Sequence, residues 1–246
     1  MWSIRELKIE ARAVLKKCYP TALAVTIITS VLGNSGKFSG TMSEKATSLG
    51  GKLGGMAVTS EFDIAAAITL VAVAVFSAVA GSILMMLISG PMKVGECRYF
   101  LEGTQYRFDI KNLLHGFTCG RYKNVLVALL LREIYTALWT FLFIIPGIVK
   151  SFSYSMVPYI MAENPNISPN QAINISCRMT KGHKFQIFLL DLSFIGWYIL
   201  GAFAFGIGTL FVMPYHRATM AQMYLAVRSN ALDIGSVSLA ELEYCL

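Results

Sequence analysis

The sequence predicts an all-α, polytopic membrane protein. About six transmembrane helices are expected in three helical-hairpin repeats, each preceded by an amphipathic helix at the cytoplasmic interface. Three observations predict this class. First, 55% of the 246 residues are hydrophobic and 14% are charged, against roughly 25% charge in soluble domains; the mean hydropathy is +0.59. Second, apolar runs over 63–90, 124–162 and 185–227 have the length for one span and two hairpins. Third, the same order of parts recurs along the chain.

The elements follow in order. Ser3 and Glu6 form an S-x-x-E capping box, a helix-start signature. Ile4, Leu7, Ile9, Ala11, Val14 and Leu15 then make an apolar face, with Arg5, Lys8, Arg12 and Lys16 elsewhere; this reads as an amphipathic helix on the membrane surface. The next apolar run, 19–33, is shorter than the roughly 20 residues a span needs. It either spans as a continuation of the first helix or re-enters. Residues 34–60 are rich in Gly, Ser and Thr, with three Lys and one Glu, and read as a flexible extracytoplasmic loop.

The run 63–90 is the clearest span and continues past Pro91. A short amphipathic segment, FDIKNLLHGF, and a basic corner, GRYK, follow. Residues 124–162 should form a two-helix hairpin turning near Trp139 and Thr140. After the loop NPNISPN, Ser168 should cap a helix with Pro169 at its first position and Gln171 three residues after the cap. That helix should end at Gly182. A second hairpin, 185–227, should turn near Gly206 and Gly208. The expected organisation is one transmembrane domain over 1–228, with pseudo-repeats roughly at 1–105, 106–165 and 166–228, and a polar cytoplasmic tail over 229–246.

Positive charge sets the orientation. The net charge is +7, from 21 Lys and Arg against 14 Asp and Glu. Basic residues concentrate in the first 18 positions, in 91–123 and in 163–184, so these regions should be cytoplasmic. Both termini then lie inside, and anionic lipid headgroups are the expected partners. Nucleic acid is not an expected partner, because the basic residues are dispersed between apolar runs. Five cysteines form no C-x-x-C pair and lack metal-ligand spacing; reduced thiols are expected. The charged N-terminus does not read as a secretory signal.

Each repeat returns on a proline-interrupted helix: LISGPMKVGECRYF, LFIIPGIVKSFSYS and LFVMPYHRATMAQMY. Pro91, Pro146 and Pro214 are the expected kinks, since proline removes a backbone donor. A basic residue follows each one, Lys93, Lys150 and Arg217. A tyrosine follows in turn, Tyr99, Tyr154 and Tyr224. Tilting the cytoplasmic ends would bring the three cations together on a headgroup or ligand; alternatively they snorkel singly to the interface. His183 and Lys184 in KGHK are further headgroup candidates, and His115 in FDIKNLLHGF resembles them.

Arg132, Glu133 and Asp191 fall deep in apolar runs. Intramembrane charges are expensive and either paired or functional. Glu133 or Asp191 with Lys150 or Arg217 are the expected pairs. The structural reading is an ion-pair network that fixes helix packing; the functional one is a headgroup site, an anionic ligand site or an ion path. His216 is either a proton-relay group or a locally bonded polar side chain. No G-x-S-x-G, H-E-x-x-H, Walker A or G-x-G-x-x-G motif occurs, so no catalytic residue, metal or cofactor is expected. Ser151, Ser153 and Ser155 spread around a helix axis and suit small-residue packing.

The runs PGIVKSFSYSM, SPNQAINIS, MTKGHK, LSFIGW and GIGTLFVMPY resemble an uncharacterised family of bacterial integral membrane proteins, domain of unknown function 975. The resemblance covers 145–224 densely. It implies a polytopic fold in the bacterial cytoplasmic membrane and brings no catalytic residues. Two functions are compatible. The first is a non-enzymatic module that binds lipid or amphiphilic peptide, or serves as an accessory subunit in the envelope. The second is a small transporter or channel acting as a homo-oligomer or with another membrane protein.

Overall fold

The computed structural model describes residues 3–33, 61–118, 120–203 and 207–242, with backbone alone for 31–33, 118, 207 and several positions between 61 and 86. The expected loop 34–60 lies outside the described residues. Among the described residues all regular structure is helical. It comprises α1 (Ile4–Gly33), α2 (Glu61–Thr104), a 3-10 turn (Ile110–Leu114), α3 (His115–Thr118), α4 (Tyr122–Leu142) and α5 (Ile144–Ser153). These are followed by α6 (Val157–Glu163), α7 (Pro169–Met179), α8 (Lys184–Phe203), α9 (Ile207–Asp233) and α10 (Leu239–Leu242). The chain divides into two compact units, Met1–Ile28 with Gly90–Leu246, and Thr29–Ser89.

The helix starts follow local chemistry. Ser3 N–H donates to Glu6 Oε2 at 3.1 Å and Glu6 N–H donates to Ser3 Oγ at 3.2 Å, the reciprocal capping box. Ser168 Oγ accepts from Gln171 N–H at 3.4 Å, with Pro169 opening α7. α1 continues into the apolar run, but Cys18 is non-helical (φ −139°, ψ 35°). It lies two positions before Pro20, which lacks the N–H that a helical ladder would use. On α1, Leu7, Ala11, Val14 and Leu15 are buried, whereas Ile9 is 57% exposed. Ile9 follows Leu7 by two positions, about 200° around the axis, and so leaves the expected face.

The larger unit is built around α6, in which every residue from Val157 to Ala162 is buried. Burying a side chain of the Val, Ile or Met class contributes about 1.5–3 kcal/mol each. α4, α7, α8, α9 and the C-terminal part of α2 add Val94, Tyr99, Phe100, Val125, Ala128, Leu129, Ile175, Ile187, Leu190, Phe194, Met223 and Tyr224 to the same cluster. The tyrosines after the three prolines, Tyr99, Tyr154 and Tyr224, are all buried.

The run 124–162 is three helices rather than two. The first break falls at Phe143 (φ −151°, ψ 129°), beyond the expected Trp139 and Thr140. Gly147 explains its place: a Cβ there would lie 2.5 Å from the Thr140 Cα, so only glycine lets α5 fold back this tightly on α4. The second break, at 154–156, has two causes. Ser151, Ser153 and Ser155 hydroxyls donate to Ile148, Val149 and Phe152 carbonyls at 2.7, 3.0 and 2.8 Å, competing with the helical ladder. Pro158 then removes a donor. The α8–α9 hairpin closes where Gly201 and Gly208 touch; a Cβ on Gly208 would sit 2.6 Å from the Gly201 Cα.

Among the described residues, two helices are long and apolar enough to cross a membrane, Tyr122–Leu142 and Lys184–Phe203; six spans are not shown. α5 has 10 residues, about 15 Å, against a hydrocarbon core of about 30 Å. Pro91 and Pro214 sit inside continuous helices. Pro146 lies in the first turn of α5, where its missing N–H leaves no ladder bond unmade. The second and third repeats share a hairpin but not a return limb: α9 is unbroken where α5 and α6 are separate.

The polar tail expected over 229–246 is described as far as Leu242. α9 runs to Asp233, and Val237 and Leu242 are buried in the main cluster.

Candidate functional site

Two polar clusters cross the apolar interior of the larger unit. α8 places Asp191 and Tyr198 seven positions apart, on one face, towards α9. His216 Nε2 lies 3.0 Å from Asp191 Oδ1, and His216 Nδ1 lies 3.0 Å from Tyr198 OH. The two contacts fix one consistent pattern for a neutral ring: Nε2–H donates to the carboxylate, and Nδ1 accepts from the phenol. The buried Phe194 ring lies 4.7 Å from the imidazole. α1 flanks this cluster. Lys8 Nζ donates to Ser193 Oγ at 2.7 Å and stands 4.6 Å over Phe194. Arg12 Nε donates to Tyr215 OH at 3.1 Å and covers the same ring.

The second cluster joins α2, α6 and α9. Glu96 is buried, and Arg217 Nε lies 3.3 Å from its Oε1. Further along α9, Tyr224 OH donates to Glu163 Oε2 at 2.7 Å, and Arg228 Nε shares that oxygen at 3.2 Å. The Tyr159 and Tyr224 rings stack at 5.2 Å. Arg98 bridges Glu102 at 2.6 Å and donates to the Ala162 carbonyl at 2.9 Å. In the short α3, burial first and then the Arg98 charge hold the His115 pKa below the usual imidazole range.

The predicted residues separate into different environments. Arg217 faces Glu96, and Asp191 faces His216, in place of the expected pairings with each other or with Lys150. Arg132 and Glu133 meet each other at 3.6 Å. Lys150 Nζ lies 4.9 Å over the Trp139 ring. Lys93 is exposed on α2, and Lys184 opens α8 half-buried. His183 bonds within the protein, Nδ1 to Gln186 Oε1 at 3.0 Å and Nε2 to Asn230 Nδ2 at 2.7 Å. Cys18, Cys97 and Cys177 are free thiols. Among the described residues no three His, Cys, Asp or Glu side chains gather as a metal site.

Sequence reasoning passed over Glu96, Glu163, Tyr198 and Arg228. A signal existed for the two acids: each stands beside apolar sequence in a chain with 14 acidic residues, and a buried carboxylate requires a partner. The Tyr198 contact had no sequence signal, because it depends on how α8 and α9 register.

The chain matches no curated protein and no solved structure. One family does match, over the segment from α5 through most of α9 that carries Lys150, Glu163, Asp191, His216, Arg217 and Arg228. Residues 144–231 are similar to the family described as protein of unknown function (DUF975), whose model matches over that segment.

Proposed function

We propose that the protein is a non-enzymatic module of the bacterial cytoplasmic membrane, multi-pass with both termini cytoplasmic, that binds anionic lipid or amphiphilic peptide. One observation carries the reading: the distal ends of both hairpins present large apolar side chains outward. Phe141 is 93% exposed and Phe203 is 84% exposed, and Leu138, Ile144, Ile145 and Leu200 are exposed beside them. Apolar surface of that kind marks a membrane or partner contact. The opposite ends of the same helices hold the packed core and its ion pairs. The polar clusters serve pairing in this reading, and no residue is assigned a catalytic role.

The test is alkaline carbonate extraction of membranes from expressing cells, followed by flotation with liposomes. The protein should stay in the membrane pellet and float. Release into the carbonate supernatant would overturn the reading.

A second reading, a small oligomeric transporter or channel, is favoured by the Tyr198–His216–Asp191 chain on a membrane-length helix. Titratable groups in such helices serve ion and proton paths. Proton flux into proteoliposomes that is lost in His216→Gln would select it; equal flux from wild type and variant would reject it.

A further inference from the structure

We propose that α1 and α9 form a site for the anionic headgroup of a membrane phospholipid, with Lys8, Arg12 and Lys16 supplying the positive charge. The site rests on the membrane placement proposed above. These three residues stand at i, i+4 and i+8 and so share one face of α1. Five arginines of the chain pair with carboxylates: Arg98, Arg132, Arg178, Arg217 and Arg228. Among the described residues none of the three α1 cations does. The protein groups they touch are neutral: the Ser193 hydroxyl, the Tyr215 hydroxyl, and the Phe194 and Tyr215 rings.

The nearby acids do not cancel this charge. Glu6 is committed to the capping box and Asp191 to His216. Glu10 is two positions from both Lys8 and Arg12, about 200° around the helix. A ladder of three cations is left with no anion of its own.

The shape beside the ladder selects an amphiphile over a bare anion. Arg12, Leu15, Lys16, Tyr19 and Tyr215 line an open cavity of about 340 Å³. Its cations sit along one side. Leu15 and the Tyr19 ring form the apolar remainder, and Tyr19 stacks on the exposed Phe211 at 6.4 Å. Tyr19 OH donates to the Phe211 carbonyl at 3.2 Å, which holds this wall in place. Arg12 is pre-positioned by Tyr215, so its remaining N–H groups can serve a phosphate, for which guanidinium is well suited. A phosphate between Arg12 and Lys16 would lay its glycerol and first methylenes along Leu15, Tyr19 and Phe211. Free phosphate has no use for that wall.

The experiment is native mass spectrometry of the full chain in mild detergent, supplied with phosphatidylglycerol or phosphatidylcholine. Wild type should retain phosphatidylglycerol in preference to phosphatidylcholine. Lys16→Gln should weaken retention about fivefold, and Arg12→Gln with Lys16→Gln about 25-fold, as expected when surface cations facing anionic lipid are removed. The Lys16 side chain is exposed and, among the described residues, makes no hydrogen bond, ion pair or ring contact, so its single variant should keep the fold. Lys181→Gln and Arg107→Gln, at exposed cations elsewhere, should leave retention unchanged. Equal retention by the double variant overturns the site, as does displacement of the lipid by inorganic phosphate. A protein that floats with liposomes but retains no phosphatidylglycerol also overturns this site and leaves the membrane placement standing. Failure to float overturns both.

Discussion

At the scale of single residues, the Glu96–Arg217 pair has the largest energetic consequence. The carboxylate is buried, whereas the Arg217 side chain is 49% exposed. Arg217→Met removes the cation facing a buried anion and should destabilise the protein by about 2 kcal/mol. The partial exposure keeps this below the roughly 3–5 kcal/mol of a fully buried pair. Glu96→Gln with Arg217→Met should recover part of that loss, because no buried charge is then stranded. Thermal unfolding in detergent measures both; a double variant less stable than Arg217→Met would contradict the account. The sequence marked Arg217 but pointed to Asp191 or Glu133 as its partner. Its actual partner lies 121 positions away on α2, and the rotations of α2 and α9 that bring the two together are set by packing. The helix caps were readable for the opposite reason: Ser3 with Glu6, and Ser168 with Gln171, meet within one turn.

At the scale of elements, the two hairpins are closed by direct backbone contact. Gly201 meets Gly208, and Gly147 meets Thr140. Each contact leaves no room for a Cβ, so the helices can approach as small-residue pairs do in membranes. Gly147→Ala and Gly201→Ala should each splay their own hairpin and lower the melting temperature, whereas Gly196→Ala on the same α8 meets open space and should be neutral or stabilising. Unchanged stability of Gly201→Ala would show that the approach is not required. Hydropathy found both hairpins because apolar runs of that length are unambiguous. It misplaced the first turn because the apolar run passes through Phe143 without interruption. It also missed the break at 154–156, where Ser151, Ser153 and Ser155 bond back to carbonyls. Their spacing suggested packing; their hydroxyl geometry could only be seen in three dimensions.

At the scale of the whole chain, the C-terminal residues bear on how the polar end is held. Their composition reads as a solvated tail, yet Val237 and Leu242 enter the main cluster. Two apolar residues separated by polar ones leave little periodic signal, which is why the docking was not legible. One guanidinium fastens the segment: Arg178 on α7 donates to the Ser236 carbonyl at 3.0 Å and to Glu241 Oε1 at 3.0 Å. The Ser238 N–H first, and Arg178 next, hold the Glu241 carboxyl below the usual carboxylate range. A depressed carboxylate pKa contributes stability above its unfolded value and loses it as pH falls through the folded one. Docking of residues 234–242 should therefore be complete at neutral pH and loosen as the pH drops below the ordinary glutamate range. Hydrogen exchange of this segment reads the change, and Glu241→Gln should flatten its pH dependence. Arg178→Ala should raise exchange at neutral pH, beyond the Glu241→Gln level, because it also removes the bond to Ser236. If the segment exchanges equally fast in wild type and Arg178→Ala, the apolar contacts of Val237 and Leu242 alone hold it.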